Sequence, residues 1–313
     1  MTAKPQVSVV IPVYNEEAGL AALFGRLYPA LDALGAPYEV VFVNDGSVDR
    51  SAAILREQFE RRPDVTRVVL FNGNYGQHLA IMAGFAHSRG DRVVTLDADL
   101  QNPPEEIPNL LAKLDEGYEV VGGWREERHD PLFRRLASRA INQMTSVAVG
   151  VSMKDYGCML RAYRRSIVTQ IIDCDERSSF IPALANSLAK RTAEIEVGHS
   201  DRFSGTSKYS VLRLMRLTFD LLTGFSLLPI QFVSVAGILV AAAGMGFGAF
   251  LFVRRLFVGP EVEGVFTLFA ILFVFVGLLI LAVGIVGEYV GRVYLEVRRR
   301  PTYRIRAIHQ RGR

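Results

Sequence analysis

"VVTLDADLQNPPEE", residues 93–106, decides the reading of the chain. Its first half, Val93 to Leu96, is an apolar run of the kind that forms a buried β-strand. The run ends on Asp97 and Asp99, with Gln101 two residues on and a Pro103–Pro104 pair behind it. Side chains in an extended segment alternate faces, so Asp97, Asp99 and Gln101 point the same way. Two carboxylates and an amide oxygen gathered at a strand end repel one another unless a cation sits among them. Oxygen-only ligands suit Mg²⁺ or Mn²⁺ rather than zinc.

That strand is one of a series. "VSVVIPV" (7–13), "YEVVFVN" (38–44), "TRVVLF" (66–71), "RVVTLD" (92–97) and "YEVVGGW" (118–124) are short β-branched runs, with helix-length stretches at 17–34, 49–61 and 77–88 between them. Regular alternation of this kind predicts an α/β protein with a doubly wound, mostly parallel sheet. Ligands of such sheets bind beyond the carboxyl ends of the strands. Three of those ends are polar and acidic: "PVYNEE", "NDGS" and "DADLQ". "NDGS" by itself reads as a tight turn with an Asp cap. Three acidic ends in one sheet favour a site instead, with Asp45, Asp97, Asp99 and Glu16 crowding one rim. A divalent cation with a phosphate ligand would relieve that repulsion. The chain has no GxGxxG or Walker loop, which counts against a dinucleotide cofactor or a P-loop nucleotide.

The composition changes along the chain. Half of the 313 residues are hydrophobic, enough for a large core and two domains. No charge occurs from Leu221 to Val253 or from Val265 to Val286. Each run exceeds the roughly 20 residues that cross a bilayer, which predicts two transmembrane helices. Before them, "SVLRLMRLTFDLLTGFS" (210–226) sets Arg213, Arg216 and Asp220 against Leu212, Met215, Phe219 and Leu222. This is an amphipathic helix for the membrane interface; burial against a partner subunit would leave the same pattern, so a homo-oligomer stays open. The net charge of +4 is local: Arg292–Arg313 holds eight arginines and one acid, leaving 28 basic and 31 acidic residues elsewhere. A basic tail beside a span suits anionic membrane lipids, and nothing here calls for nucleic acid. Basic flanks on both sides of the two spans put the catalytic part and both termini in the cytoplasm. "MTAKPQ" shows no signal-peptide pattern. Cys158 and Cys174 suggest neither a disulfide nor a metal site, and both read as packing residues. The expected organisation is a catalytic domain over 1–207, an interfacial helix over 208–226, two transmembrane helices over 227–290 and a basic tail over 291–313.

"SVVIPVYNEE", "VNDGSVDRS", "TLDADLQNPPEEI" and "DYGCMLRAYRR" together resemble the inverting glycosyltransferase family two, whose fold is the GT-A nucleotide-diphospho-sugar transferase fold. The added hydrophobic region resembles the polyprenyl-phosphate branch of that family. "NYGQHLAIMAGF", "DADLQNPPEEIPNLLAKLDEGYEVVG" and "ERSSFIPALAN" are similar to the members that transfer 4-deoxy-4-formamido-L-arabinose. The resemblance runs from about Val7 to Pro301.

It implies a UDP-sugar donor, undecaprenyl phosphate as acceptor and a divalent metal, at the inner membrane, with a product feeding lipid A modification and cationic peptide (polymyxin) resistance. Pro12, Tyr14, Glu16, Asp45 and Asp97 would bind the nucleotide sugar, and Asp97, Asp99 and Gln101 the metal. Arg125, Arg134, Ser138, Arg202, Ser207 and Lys208 would hold the lipid phosphate, since arginine forks and hydroxyls suit phosphate oxygens. Asp155 would join Asp99 as a catalytic residue. A phosphate monoester is mostly dianionic near neutral pH, so Asp155 is expected to orient a reactant rather than to take a proton. Two positions depart from the family: Asn44 stands where many relatives have Asp, and Gly73 where close ones have Arg, which predicts a looser loop there. The alternatives are a glucosyltransferase of the same architecture and a non-catalytic membrane scaffold.

Overall fold

The computed structural model describes residues 4–124, 158–174, 180–198, 228–258, 265–297 and 302–311. In chain order these form β1 (Val7–Val13), α1 (Leu20–Asp32), β2 (Tyr38–Asn44), α2 (Ser51–Arg61), β3 (Thr66–Phe71), α3 (Gln77–His87), β4 (Arg92–Thr95), α4 (Ile107–Asp115) and β5 (Val120–Trp124). There follow β6 (Arg161–Arg164), α5 (Arg165–Asp173), α6 (Ile181–Leu188), β7 (Thr192–Glu196), α7 (Leu228–Val258), α8 (Val265–Val297) and β8 (Ile305–His309). Two units result: one holds the described residues up to 198 together with 302–311, the other α7 and α8.

The first unit is an eight-stranded sheet in the order β7-β5-β6-β4-β1-β2-β3-β8. β1 to β4 are parallel, so their carboxyl ends share one rim, while β6 and β8 run antiparallel. Alternation along β1 divides the core. Val7, Val9, Ile11 and Val13 join Leu20, Leu23, Leu27 and Leu31 of α1 and Leu110 and Leu114 of α4 on one face. Val10 points to the other face, against α3, so closely that a Cβ on Gly84 would lie 2.2 Å from Val10 Cγ1. Phe85 of α3 meets Tyr163 of β6 on that side at 5.5 Å. Helices on both faces make the sheet doubly wound, as its sequence pattern predicts.

Three findings depart from the sequence reading. β4 stops at Thr95 rather than running to residue 97, so Asp97 already belongs to a loop. Residues 305–309, read as part of a separate basic tail, form β8 and cover the edge of β3. The arginines in and around them hide a period-two pattern in which Ile305, Ala307 and His309 are half-buried while Arg306 and Ile308 are exposed; an uncovered β3 would offer a row of unpaired amides. Cys174 is exposed and only Cys158 is buried, because residue 174 follows the last turn of α5.

In the second unit α7 and α8 meet where Gly244 faces Phe275, whose Cζ would lie 3.4 Å from an added Cβ. Among the described residues one helix is long and apolar enough to cross a bilayer: Val274–Gly291 in α8, none of it buried.

Candidate active site

The rim forms where four parallel strands end. Pro12 can occupy β1 because of its parity. Val10 accepts from Leu96 on the β4 side, and Val13 accepts from Asp45 on the β2 side. Pro12 therefore turns its missing N–H toward β4, which has ended its pairing at Thr95. Tyr14 follows, 46% exposed. Asn15 then takes a left-handed conformation (φ 57°), which a short polar side chain tolerates.

That turn joins two loops. Asn15 N donates to Ser47 Oγ (3.0 Å), and Val48 N donates back to Asn15 Oδ1 (2.9 Å). Glu16 N donates to Ser51 Oγ and Glu17 N to Asp49 Oδ2, while Glu17 Oε2 accepts from Arg50 N. Asn15, Ser47 and Asp49 are site-building residues that a reading for acidic clusters missed. Their signal was present in the turn-forming types Asn, Ser, Gly and Asp. Glu16 reaches toward the β4 loop: a Cβ on Gly19 would lie 3.9 Å from both Glu16 Oε2 and the Ala98 carbonyl.

Asp45 is buried (2% exposed) and already engaged. Its Oδ1 accepts from Tyr75 N (2.7 Å) and its Oδ2 from Gly76 N (2.8 Å). Burial raises its pKa, and the two amide donors oppose that shift. Asp45 thus ties down the 72–76 loop. Gly46 completes the tie at φ +67°, where a Cβ would sit 2.2 Å from the backbone of Gly73. Beside Gly73 itself an added Cβ meets nothing within 4 Å, so this position has room for a side chain. Asn44 is buried, and its Oδ1 finds no hydrogen-bond partner among the described residues. An aspartate there would bury a second charge beside Asp45, at a cost that a neutral amide avoids.

At the end of β4, Asp97 is half-buried and accepts from Gln77 Nε2 (2.7 Å), at the start of α3. Asp99 is 9% exposed, and its Oδ1 accepts from Gln101 N (3.2 Å). Leu100 between them is left-handed (φ 61°), an uncommon state for a non-glycine residue and one that turns the chain sharply. Asn102 carries the loop to the chain after Asp155, where Cys158 Sγ lies 3.6 Å from its Oδ1. Thr95 Oγ1 donates to Met159 O and Gly123 N to Leu160 O. Arg161, fully buried, donates from Nε to Cys158 O.

Among the described residues no three His, Cys, Asp or Glu side chains stand together as a metal cage. Glu16, Asp45, Asp97 and Asp99 thus form no such cage by themselves. Asp45 is engaged by the amides of another loop. The donor chemistry of the β4 end still fits a hard divalent cation: Mg²⁺ is commonly held by one or two carboxylates, with phosphate oxygens completing the shell. Asp97 and Asp99 would supply those carboxylates. Asp155, Arg125, Arg134, Ser138, Arg202, Ser207 and Lys208, and the interfacial helix expected at 208–226, lie outside the described residues.

The sheet is doubly wound with an acidic carboxyl rim, and its chain crosses back through an antiparallel β6. The model of glycosyl transferase family 2 matches residues 8–172, and the chain belongs to this family. It is 53% identical over 304 residues to an undecaprenyl-phosphate 4-deoxy-4-formamido-L-arabinose transferase of Edwardsiella ictaluri (strain 93-146), covering 96% of this chain and 94% of that protein. A protein of the same name from Klebsiella pneumoniae subsp. pneumoniae is 51% identical over 305 residues, covering 97% and 93%. Among solved structures, glucosyl-3-phosphoglycerate synthase from Mycobacterium tuberculosis, in complex with phosphoglyceric acid, superposes with a TM-score of 0.51 at 19% identity, over 71% of this chain and 80% of that one. Its complex with Mn²⁺, UDP-glucose and phosphoglyceric acid gives 0.50 at 18%, over 70% and 79%. At such identity the likeness speaks for the fold.

Proposed function

We propose that this protein transfers 4-deoxy-4-formamido-L-arabinose from a UDP donor to undecaprenyl phosphate at the cytoplasmic face of the inner membrane. The observation that carries the reading is the likeness to transferases of that name, which extends through both units at about half identity. It favours this sugar over the glucosyl alternative.

In the proposed reaction an oxygen of the lipid phosphate attacks the anomeric carbon. The bond from that carbon to the UDP oxygen breaks, and UDP leaves with the electron pair. The acceptor is mostly dianionic near neutral pH, so it needs no proton removed. Pro12, Tyr14, Glu16 and Asp45 bind the nucleotide, Asp45 through the 72–76 loop that its carboxylate holds. Asp97 and Asp99, with Gln101, hold Mg²⁺ or Mn²⁺, which when bound neutralises charge on the diphosphate. Arg125, Arg134, Ser138, Arg202, Ser207 and Lys208 hold the lipid phosphate, and Asp155 orients a reactant.

Two transmembrane helices anchor the enzyme in this reading. An exposed apolar stretch such as Val274–Gly291 is costly in water and stable in lipid. Connectivity supports a hairpin: the chain leaves the sheet unit before α7 and returns to it as β8, so any crossings come in an even number.

The test is a transfer assay on the full-length protein in detergent, with undecaprenyl phosphate and either UDP-formamido-arabinose or UDP-glucose, with and without EDTA. EDTA-sensitive lipid product from the arabinose donor alone is the expected result. Product from the glucose donor alone would overturn the sugar, and no product from either would overturn the activity.

A further inference from the structure

The C-terminal strand brings more to the sheet than edge cover. β8 pairs with β3 at Val68–His309, Val69–Ile308 and Leu70–Ala307; the next pair is Phe71–Ile305, so Arg306 is an extra residue that bulges out. Bulges re-aim the chain that precedes them. Here the re-aimed chain meets the loop that Asp45 holds from its other side. Asn72 N donates to Arg304 O (3.1 Å). The Tyr303 ring stacks on Phe71 at 4.9 Å with 18° between planes. Phe71 in turn meets Tyr75 edge-on at 5.6 Å, and Tyr75 Oη donates to Asn72 Oδ1 at 2.5 Å. Three rings, Tyr303, Phe71 and Tyr75, thus run from the C-terminal segment into the loop whose amides at 75 and 76 bind Asp45. Gln77, the next residue along, donates to Asp97.

We propose that Tyr303 is a positioning residue for the donor nucleotide: its ring fixes the 72–76 loop, and through it the orientation of Asp45 and the reach of Gln77 to Asp97. The role rests on the proposed reading of this rim as a UDP-sugar site. Tyr303 lies outside the paired strand, so edge cover, which residues 307–309 already supply, does not require it. Only residues 298–302 separate it from the end of α8, so the chain that fixes the donor loop is the one that follows the last apolar helix.

The experiment compares Tyr303→Ala and Tyr303→Phe with wild type as full-length proteins in detergent. UDP binding is read by calorimetry with Mn²⁺, and KM is measured separately for the UDP-sugar and for undecaprenyl phosphate. Losing one aromatic pair weakens UDP binding and raises donor KM by about two- to tenfold. The KM for lipid and the kcat at saturating donor stay at wild-type values, and Tyr303→Phe, which keeps the ring, restores donor affinity. Unchanged UDP affinity in folded Tyr303→Ala, or an equal rise in both KM values, overturns the positioning role. If Tyr303→Ala does not fold, Tyr303→Leu is judged by the same two criteria. Wild-type protein that binds no UDP with Mn²⁺ present would overturn the donor-site reading itself, and the positioning role with it.

Discussion

Strand β2 carries a carboxylate near each end, and the two are equally buried: Glu39 and Asp45 are each 2% exposed. Their surroundings differ completely. Glu39, on the amino rim, accepts from Ser8 Oγ (2.7 Å), Arg89 N (2.5 Å) and Arg89 Nε (3.0 Å), with the Arg67 guanidinium 3.6 Å away. Around it, Arg165 reaches Ser88 and the Gly90 carbonyl, and Gly90 N donates to Ser8 Oγ. Charge there is matched by charge, side chain to side chain. Asp45, on the carboxyl rim, is held by two uncharged backbone amides, and burial raises its pKa. One rim is closed and neutralised. The other keeps its carboxylates on loops with left-handed residues, which suits a rim that receives a ligand bringing its own counter-charge.

Mutations can break this contrast. Glu39→Ala, leaving two guanidinium groups without their buried partner, is expected to cost about 3–5 kcal/mol of stability, read by urea unfolding. Donor KM of the folded fraction should not move; a rise there would mean that the two rims are not independent. Asp99→Asn is the opposite case: transfer falls on the order of 10²- to 10³-fold with little change in the urea midpoint. Near-normal turnover at saturating Mn²⁺ would remove Asp99 from the metal set. Asp45→Ala lies between the two. It strands the amides of Tyr75 and Gly76, costs about 1–3 kcal/mol for buried donors left unpaired, and raises donor KM as the loop loosens. A stability loss with donor KM intact would make Asp45 purely structural.

The smallest effect is in pH. Because the folded pKa of Asp45 is raised, the native state holds this proton to higher pH than the unfolded chain does. Stability therefore falls as pH rises from the unfolded value, about 3.9, through the folded one. Thermal unfolding across that range should show the advantage of wild type over Asp45→Asn narrowing as pH rises. A widening gap would reverse the assigned direction.

Much of this was legible in the sequence. The first three strands coincide with their β-branched runs residue for residue, because an apolar run bounded by turn residues has few other solutions. The acids at the strand ends were equally visible. β6 was not: "RAYR" is short and polar, and its Arg161 is buried only because β4 and β5 flank it. β8 was hidden by the arginine-rich tail in which it lies. The role of Asp45 in holding a loop was hidden too, since its partners lie 30 and 31 residues away.

The sequence by itself determined which segments extend or coil, which end in carboxylates, and which are too apolar to rest in water, because all three follow from side chains a few residues apart. Only the tertiary structure decided that β6 slips in between β4 and β5, that the chain returns past its apolar helices to cover β3, and that Asp45 is bound by the amides of the 72–76 loop. Those outcomes depend on pairings between distant segments. There, unmatched strand edges and buried charges find partners that no local pattern names.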